Sequence, residues 1–201
     1  SGFREMMNLS LSKDSYYPQA NLVKVVNPLS QDLNVLRADL LPGGLQSIAY
    51  NVNRKNHDLK LYEIGRRYQL AGGEELKYIE TKQVAIFMTG RLFPENPYQY
   101  NQNTEFSSVK AVLEVLFEKL GLHGYKTTES TYAGFTYGIS YHLHNKALAE
   151  LGLVSAANMQ AFGIQQPVYY ACIDWEMLHK AYNKQQIHFE ELNKFPSVRR
   201  D

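Results

Sequence analysis

The chain has 201 residues and a formal net charge of +1, with 21 lysines and arginines against 20 aspartates and glutamates. This balance excludes a large overall positive field for phosphates, because non-specific affinity scales with the cations presented to them, and it leaves a local basic patch open. With 44% hydrophobic residues, the chain can bury a substantial core, which excludes intrinsic disorder. Cys172 is the single cysteine, so an internal disulfide is excluded. A reducing compartment fits this composition, and we find neither a signal peptide nor a bilayer-spanning apolar run, so we expect a cytoplasmic location.

Alternating apolar residues near the N-terminus predict two strands. Met7, Leu9 and Leu11 alternate with polar residues within 3–12, which indicates a strand with one buried face. The apolar run at 22–26 indicates a second, shorter strand. This run leads into segment 27–70, which contains a turn, an apolar stretch, a glycine pair and a β-rich run. We interpret the rest of the chain as support for this segment.

The first half of segment 27–70 predicts a turn followed by a helical apolar stripe. Pro28 ends the preceding strand, and Ser30 is suited to cap a helical turn that begins at Gln31. Arg37 and Asp39 lie off the stripe, so we expect them to be available to a partner or to water. Four leucines at helical spacing define the stripe: Leu33, Leu36, Leu40 and Leu41.

The second half of this segment predicts a helix and then a strand. Pro42 is tolerated in the first turn of a helix, and apolar residues recur at helical spacing from Leu45 to Val52. A polar run around Arg54 ends the helix. The apolar residues within 59–70 then predict a strand that closes at a glycine pair.

The remainder of the chain alternates predicted strands with two predicted helices. The helix at 107–120 has the clearest periodicity, with Ser107 or Ser108 as its N-cap and Gly121 at its C-terminal end. Strands that are neighbours in sequence favour an α+β fold with an antiparallel sheet flanked by helices. The other predicted elements are strands at 83–91, 134–143, 168–173 and 187–192, a long loop at 93–104 and a helix at 175–182 after Asp174.

Five short motifs in segment 27–70 resemble those of a known family. They are Asn27-Pro28-Leu29-Ser30, Val35-Leu36-Arg37, Leu40-Leu41-Pro42-Gly43, Asn53-Arg54 and Tyr62-Glu63-Ile64-Gly65-Arg66. In this order they resemble the beta subunit of bacterial phenylalanine–tRNA ligase. The match is specific because five separate short motifs in the right order are unlikely to arise by chance, although no single motif would suffice. The resemblance implies a class II aminoacyl-tRNA synthetase-like core domain over 1–194. It also implies that 195–201 begin a following C-terminal tRNA-binding domain.

The resemblance further implies an assembly role beside a catalytic subunit. Members of the family join phenylalanine to its tRNA, using ATP and magnesium, as an α2β2 heterotetramer whose alpha subunit carries the active site. By the resemblance, segment 29–54 packs against the alpha subunit, this chain binds no cofactor itself, and tRNA is a partner of the full complex. The implied interface residues are the apolar anchors Leu33, Leu36, Leu40 and Leu45 and the polar anchor Arg37.

The arginines that catalytic class II synthetases require are not found at the expected spacing. Such an enzyme holds a triphosphate with arginines, because a guanidinium presents planar, permanently charged donors to phosphate oxygens. In catalytic members one arginine lies in a Phe-x-Arg-x-Glu strand and another follows a Gly-x-Gly strand. Neither pattern occurs here, and Arg37-Ala38-Asp39 is the nearest approach. We therefore predict a synthetase-like sheet without catalytic residues, since a fold alone does not confer activity.

Other candidate sites have weaker support in the sequence. His142 and His144 have a spacing that metals accept, with Cys172 as a third ligand, but surface or packing histidines are favoured and we predict no metal site. Cys172 lies between apolar neighbours and is expected to be buried and inert. Arg54 and Lys55 are candidates for contact with an RNA backbone, although a solvated helix end is favoured.

Glu63 admits a catalytic and a structural interpretation. It could act as a general base, but a structural role beside Arg66, Arg67 or a backbone end is favoured.

Two alternatives from other functional classes remain open. One is a free-standing enzyme that activates an amino acid through unrecognised residues. The other is a binding module that uses Tyr98, Tyr100 and Tyr132 for a sugar or a base. ATP–pyrophosphate exchange tests the first alternative, and titration with tRNA at two salt concentrations tests the second.

Overall fold

The computed structural model describes residues 2–18, 21–71, 77–93 and 102–184. Within these ranges a seven-stranded sheet forms the centre of the molecule and a two-stranded sheet lies beside it. The strands are β1 (Arg4–Glu5), β2 (Leu11–Ser12), β3 (Val35–Leu36), β4 (Leu59–Leu70), β5 (Tyr78–Thr89), β6 (Lys126–Glu129), β7 (Phe135–Leu143), β8 (Lys146–Val154) and β9 (Val168–Asp174). The helices are α1 (Leu41–Val52), α2 (Phe106–Lys119), α3 (Ala156–Ala161) and α4 (Trp175–Asn183).

The large sheet is antiparallel except at one edge. Its strand order is β1-β4-β5-β9-β8-β7-β6. In the part of the chain that is described, β1 is parallel to β4 and each of the other neighbouring pairs is antiparallel. β9 inserts between β5 and β8, which brings distant parts of the sequence together in the middle of the sheet. The predicted α+β class with a mainly antiparallel sheet flanked by helices is confirmed.

Helices cover the two faces of this sheet unequally. On one face, α2 and α4 pack over a large apolar cluster that includes Leu113, Phe117 and Leu178. On the other face, α1 covers a smaller apolar cluster that includes Leu45 and Phe87. The rest of this second face carries the polar side chains that form the candidate site.

The start of α1 agrees with the sequence prediction. Pro42 lies in the first turn of the helix, where its missing N–H costs no helical hydrogen bond. The backbone N–H of Leu41 donates to Asp39 Oδ1 at 2.8 Å. Gly44 then faces the sheet, and a Cβ atom there would overlap the ring of Phe87. The absence of a side chain at Gly44 therefore allows α1 to lie close against the sheet.

The predicted helices at 107–120 and 175–182 are confirmed as α2 and α4. The N-cap of α2 is Glu105 rather than a serine, because Glu105 and Ser108 form a reciprocal capping box. Gly121 ends this helix with a φ of +65°. In α4, the side chain of Asp174 accepts a hydrogen bond from the backbone of Met177 at 2.8 Å, as expected of an N-cap.

The two N-terminal strand predictions are wrong. Segment 3–12 contributes two short strands, β1 and β2, to different sheets. The chain leaves the large sheet after Met6 donates to the carbonyl of Tyr62, and it joins the small sheet near Ser10, whose carbonyl accepts from Arg37. Segment 22–26 forms no strand and is held by an isolated bridge at Lys24.

The predicted helical stripe before Pro42 is also wrong. Ser30 caps a single 3₁₀ turn over Gln31–Leu33 by accepting from Asp32 N. The chain then enters β3, where Leu36 is paired with Leu11 of β2. The regular spacing of the leucines therefore does not reflect a helix, because pairing with the N-terminal segment imposes extended backbone.

Some predictions lie outside the described residues. These are the strand at 187–192, the domain start at 195–201 and most of the loop at 93–104, including Tyr98 and Tyr100. Of the helices in the described ranges, none combines the length and apolar character that crossing a bilayer requires.

Candidate functional site

A cavity of about 320 Å³ lies on the sheet face that α1 covers only in part. Alternate residues of a strand share a face, and paired residues of neighbouring strands share the same face. Gln83 and Asp174 are paired across β5 and β9, and Cys172 and Glu150 are paired across β9 and β8. The side chains relevant to its chemistry are Asp39, Arg67, Gln83, Glu150, Cys172 and Asp174.

Asp39 is held at one wall of the cavity by three donors. The hydroxyl of Tyr132 donates to Oδ2 at 2.6 Å, and the hydroxyl of Tyr170 donates to Oδ1 at 3.2 Å. The third donor is the N–H of Leu41 at the start of α1. Burial raises the pKa of the Tyr132 and Tyr170 hydroxyls well above the ordinary value for tyrosine, and the nearby Asp39 carboxylate raises it further. Both hydroxyls therefore keep their protons and donate. Asp39 is half-buried, and its two carboxylate oxygens are used within the chain although it lines the cavity.

The other two carboxylates also have structural partners. Glu150 Oε2 accepts from the hydroxyls of Ser130 and Ser140, at 2.5 and 2.7 Å. Asp174 caps α4. These donors are uncharged hydroxyl and backbone N–H groups, so three carboxyl side chains and one guanidinium line the cavity.

Two buried polar atoms at the cavity have no hydrogen-bond partner in the described ranges. They are Arg67 Nε, a donor, and Gln83 Oε1, an acceptor. The side chain of Gln83 is only 8% exposed. Arg66 precedes Arg67 in strand β4 but behaves differently, since it pairs with Glu80 at 2.8 Å where both side chains are exposed to solvent.

Cys172 lies half-buried at this cavity, and burial raises the pKa of its thiol from 9.0 to about 12. The environment agrees with the predicted inert cysteine, because the thiolate is the reactive form. We expect iodoacetamide at about pH 8 to alkylate Cys172 roughly 1,000-fold more slowly in the native chain than in the urea-unfolded chain. Mass spectrometry of timed samples measures both rates. Equal rates would show that the thiol is not protected by its surroundings.

Arg37, the predicted polar anchor of an interface, is buried inside the chain. The residue is 5% exposed, and Nη1 lies 2.6 Å from Glu63 Oε1. Nε donates to the carbonyl of Arg66 at 2.8 Å. Asn8 completes the network by donating to Glu63 Oε2 at 2.7 Å. The expectation that Arg37 is available to a partner or to water is wrong, because its donors are used to tie β4 to the segments around Asn8 and Arg37.

Glu63 has the structural role that the sequence favoured, with a different partner. It is 2% exposed and pairs with Arg37 rather than Arg66 or Arg67. Gly65 leaves room for this pair, since a Cβ there would overlap the Arg37 guanidinium.

The predicted apolar anchors divide into buried and partly exposed residues. Leu40 and Leu45 are wholly buried in the core beneath α1, so they offer no contact area to a partner. Leu33 and Leu36 are half-buried. The interface role of this set stays a prediction.

The remaining candidates lie apart from the cavity. Arg54 follows α1, and its guanidinium lies 3.5 Å from the centroid of the Tyr50 ring. Lys55 is exposed with a φ of +68°. His142 lies in β7 whereas His144 lies in the following turn with a φ of +49°. They therefore do not share a strand, and the described residues contain no cluster of three or more potential metal ligands.

Sequence reasoning did not identify Arg67, Gln83, Glu150 and Asp174 as members of one cavity. The available signal was alternation, which places Cys172 and Asp174 on one face of β9. Bringing Gln83 beside Asp174 requires the pairing of β5 with β9, which no local pattern specifies.

Comparison with solved structures shows the fold. PylSc, a pyrrolysyl-tRNA synthetase of Desulfitobacterium hafniense, has a TM-score of 0.64 and 14% sequence identity, and the match covers 92% of this chain and 64% of that chain. A second structure of pyrrolysyl-tRNA synthetase from the same organism also has a TM-score of 0.64, over 89% of this chain and 62% of that chain. The predicted class II synthetase-like fold is confirmed.

Comparison with curated proteins and families shows the family. Relatives named phenylalanine–tRNA ligase beta subunit are 35% identical in Bacteroides fragilis and 36% in Bacteroides thetaiotaomicron over 215 aligned positions, and 30% in Porphyromonas gingivalis over 216. Each match covers 100% of this chain and 26% of the relative, so the chain spans about a quarter of their length. Residues 1–175 match the family described as the phenylalanyl tRNA synthetase beta chain CLM domain. The predicted family is thus confirmed, and the chain belongs to the CLM domain family of phenylalanyl-tRNA synthetase beta chains.

Proposed function

We propose that this chain is a non-catalytic, synthetase-like core that packs against the catalytic alpha subunit of phenylalanine–tRNA ligase. The observation that carries the proposal is the charge of the cavity on a synthetase-like sheet. Asp39, Glu150 and Asp174 oppose the single guanidinium of Arg67 in this lining. An acidic lining repels a triphosphate, which needs several cations. ATP and magnesium then belong to the alpha subunit of a cytoplasmic α2β2 enzyme that attaches phenylalanine to tRNA.

Exposed apolar residues in the N-terminal part of the chain support a docking surface. Met7 is 91% exposed, Val26 is 92% exposed and Leu29 is 98% exposed. Met7, Leu9 and Leu33 line one depression of about 260 Å³. We call Met7, Leu9, Val26, Leu29 and Leu33 the N-terminal apolar surface. Val26 and Leu29 lie in the same loop as Leu33, which the hydrogen bond from Val25 N to the carbonyl of Asn34 closes. A contiguous group of exposed apolar residues is typical of an interaction site, and this surface takes the place of the buried Leu40 and Leu45 in the proposed interface.

Co-expression with the alpha subunit of the same organism tests the proposed assembly. We expect the two chains to co-elute in size-exclusion chromatography. The double variant Met7→Asp/Leu29→Asp should weaken the complex by at least about tenfold, because it places charges in a desolvated interface. Both positions are exposed, so the fold of the variant should persist.

Val115→Asp supplies the matched control. Val115 is 47% exposed on α2, which packs on the sheet face opposite to the face that α1 covers. This control should leave the complex intact. Failure of the native chains to associate, or equal weakening by the control, would contradict the proposed surface. Phenylalanine-dependent ATP–pyrophosphate exchange by the chain alone would contradict the non-catalytic assignment.

Contact with tRNA in the full complex is part of the same proposal. Arg54 and Lys55 are exposed at the end of α1, where a phosphate can approach them. Arg54 also donates to the carbonyl of Tyr50 at 3.1 Å, which fixes the position of its guanidinium. The support is the exposure of these two cations, as expected of backbone contacts that position RNA.

A further inference from the structure

The cavity on the sheet face presents a donor and an acceptor that the described part of the chain does not satisfy. Arg67 Nε and Gln83 Oε1 are buried, and neither has a hydrogen-bond partner there. Both side chains line the cavity, and Gln83 is more than nine-tenths buried. Buried polar groups in native proteins are almost always paired, because an unpaired one loses its hydration without compensation. The pair therefore calls for a ligand with one acceptor and one donor.

The charge of the lining indicates the sign of each ligand group. The carboxylates of Asp39, Glu150 and Asp174 exceed the positive charge of Arg67 by two, and their hydrogen-bond donors are hydroxyls and backbone N–H groups. A cationic N–H donor is therefore favoured beside Gln83, which faces Asp174 across the strand pair. An anionic oxygen is favoured only at the guanidinium of Arg67.

The size of the cavity limits the ligand to a small molecule. At roughly 30 Å³ for each water-sized group, the volume of about 320 Å³ holds roughly ten non-hydrogen atoms. A neighbouring groove of about 570 Å³ shares Asp39, Arg67 and Tyr132 with the cavity. A side chain of the ligand can extend into this groove, past the ring of Tyr132.

We propose that this cavity binds a small zwitterion of the amino-acid class. Its carboxylate accepts from Arg67 Nε, and its ammonium group donates to Gln83 Oε1 within the field of the three carboxylates. A phosphate meets too much negative charge here, a simple cation leaves Arg67 Nε without an acceptor, and an apolar molecule leaves both Arg67 Nε and Gln83 Oε1 unpaired. The proposal concerns binding without any covalent step, so it goes beyond the assembly role and does not depend on it.

Titration of the native 201-residue chain tests this proposal directly. The probes are glycine, L-alanine and L-phenylalanine at up to about 10 mM, followed by calorimetry and by the NMR signal of the Arg67 Nε–H group. We expect at least one of them to bind and to shift that signal. Two analogues separate the ligand groups: L-phenylalaninamide lacks the carboxylate, and 3-phenylpropionate lacks the ammonium. Each should bind at least about tenfold more weakly than L-phenylalanine.

Three variants locate the binding. Arg67→Lys keeps the charge but removes Nε, and Gln83→Met removes the acceptor while keeping the length of the side chain. Each should weaken binding by about tenfold or more. Arg66→Lys is the matched control, because Arg66 is the adjacent residue of β4 and pairs with Glu80 outside the cavity. It should bind like the native chain.

Two outcomes overturn the proposal. If none of the three amino acids binds at about 10 mM and the Arg67 signal does not move, the cavity holds water only. If the analogues bind as tightly as L-phenylalanine, the ligand is not a zwitterion. Either result leaves the proposed docking of the alpha subunit intact, because the N-terminal apolar surface and the cavity use different residues.

Discussion

Arg37→Met is expected to destabilise the chain by about 3–5 kcal/mol, because it leaves Glu63 charged and buried without its partner. Glu63 is 2% exposed, and its distance of 2.6 Å from Arg37 makes the guanidinium its main source of compensation. The substitution also removes the donor to the carbonyl of Arg66. Urea-induced unfolding followed by circular dichroism measures the loss of free energy of unfolding.

A double variant distinguishes the cost of leaving one charge unpaired from the cost of changing the packed volume. Arg37→Met/Glu63→Leu should recover most of the loss, since replacing a buried ion pair with apolar residues of similar volume is often close to neutral. Arg66→Met is the surface control, because the pair between Arg66 and Glu80 is solvent-exposed and should contribute no more than about 1 kcal/mol. An Arg37→Met chain as stable as this control would show that the buried ion pair is not a main support of the fold.

The parts of the fold that the sequence predicted well depend on local patterns. The periodicity of α2, the N-cap of α4 and the position of Pro42 in α1 each act within one or two turns of chain. The predictions for the N-terminal segments were wrong because the conformation of these segments depends on partners far away in sequence. Leu36 has helical spacing relative to the other leucines, but pairing with Leu11 makes its backbone extended.

Strand β8 was not predicted, for a related reason. Its residues Ala147, Ala149 and Gly152 have low intrinsic β-propensity. It is a strand because β7 and β9 pair with it on both sides. Gly152 lies opposite Gly138 of β7, and a Cβ atom at either position would overlap the ring of Phe135. The glycines that weakened the sequence signal are therefore required by the packing.

The chemistry of the cavity was only partly accessible from the sequence. Arg67 does not lie at the spacing of the arginines that mark a catalytic class II site. Its importance comes from the face of β4 on which it lies and from its Nε atom, which has no hydrogen-bond partner among the described residues. Gln83 carries no sequence signal of its own, because a glutamine in a strand is ordinarily solvent-exposed.

Gly44→Ala is expected to destabilise the chain by about 1–3 kcal/mol, although the same change favours an isolated helix by about 1 kcal/mol. The added Cβ would overlap the ring of Phe87. That ring is wholly buried and packs on Tyr170, with ring centroids 4.8 Å apart, so it has little freedom to move aside. The helix must instead move away from the sheet, and urea-induced unfolding measures the cost.

A double-mutant cycle identifies the contact responsible for that cost. In a Phe87→Leu background the ring is absent, so Gly44→Ala should be much less destabilising than in the native chain, which gives a coupling energy of about 1 kcal/mol or more. Gly43→Ala should cost less, because its Cβ meets only the Asn8 side chain, at 3.3 Å. A Gly44→Ala chain more stable than the native chain would contradict the close approach of α1 to the sheet. Since α1 also fixes Asp39 through the N–H of Leu41, displacement of this helix should distort the wall of the cavity as well.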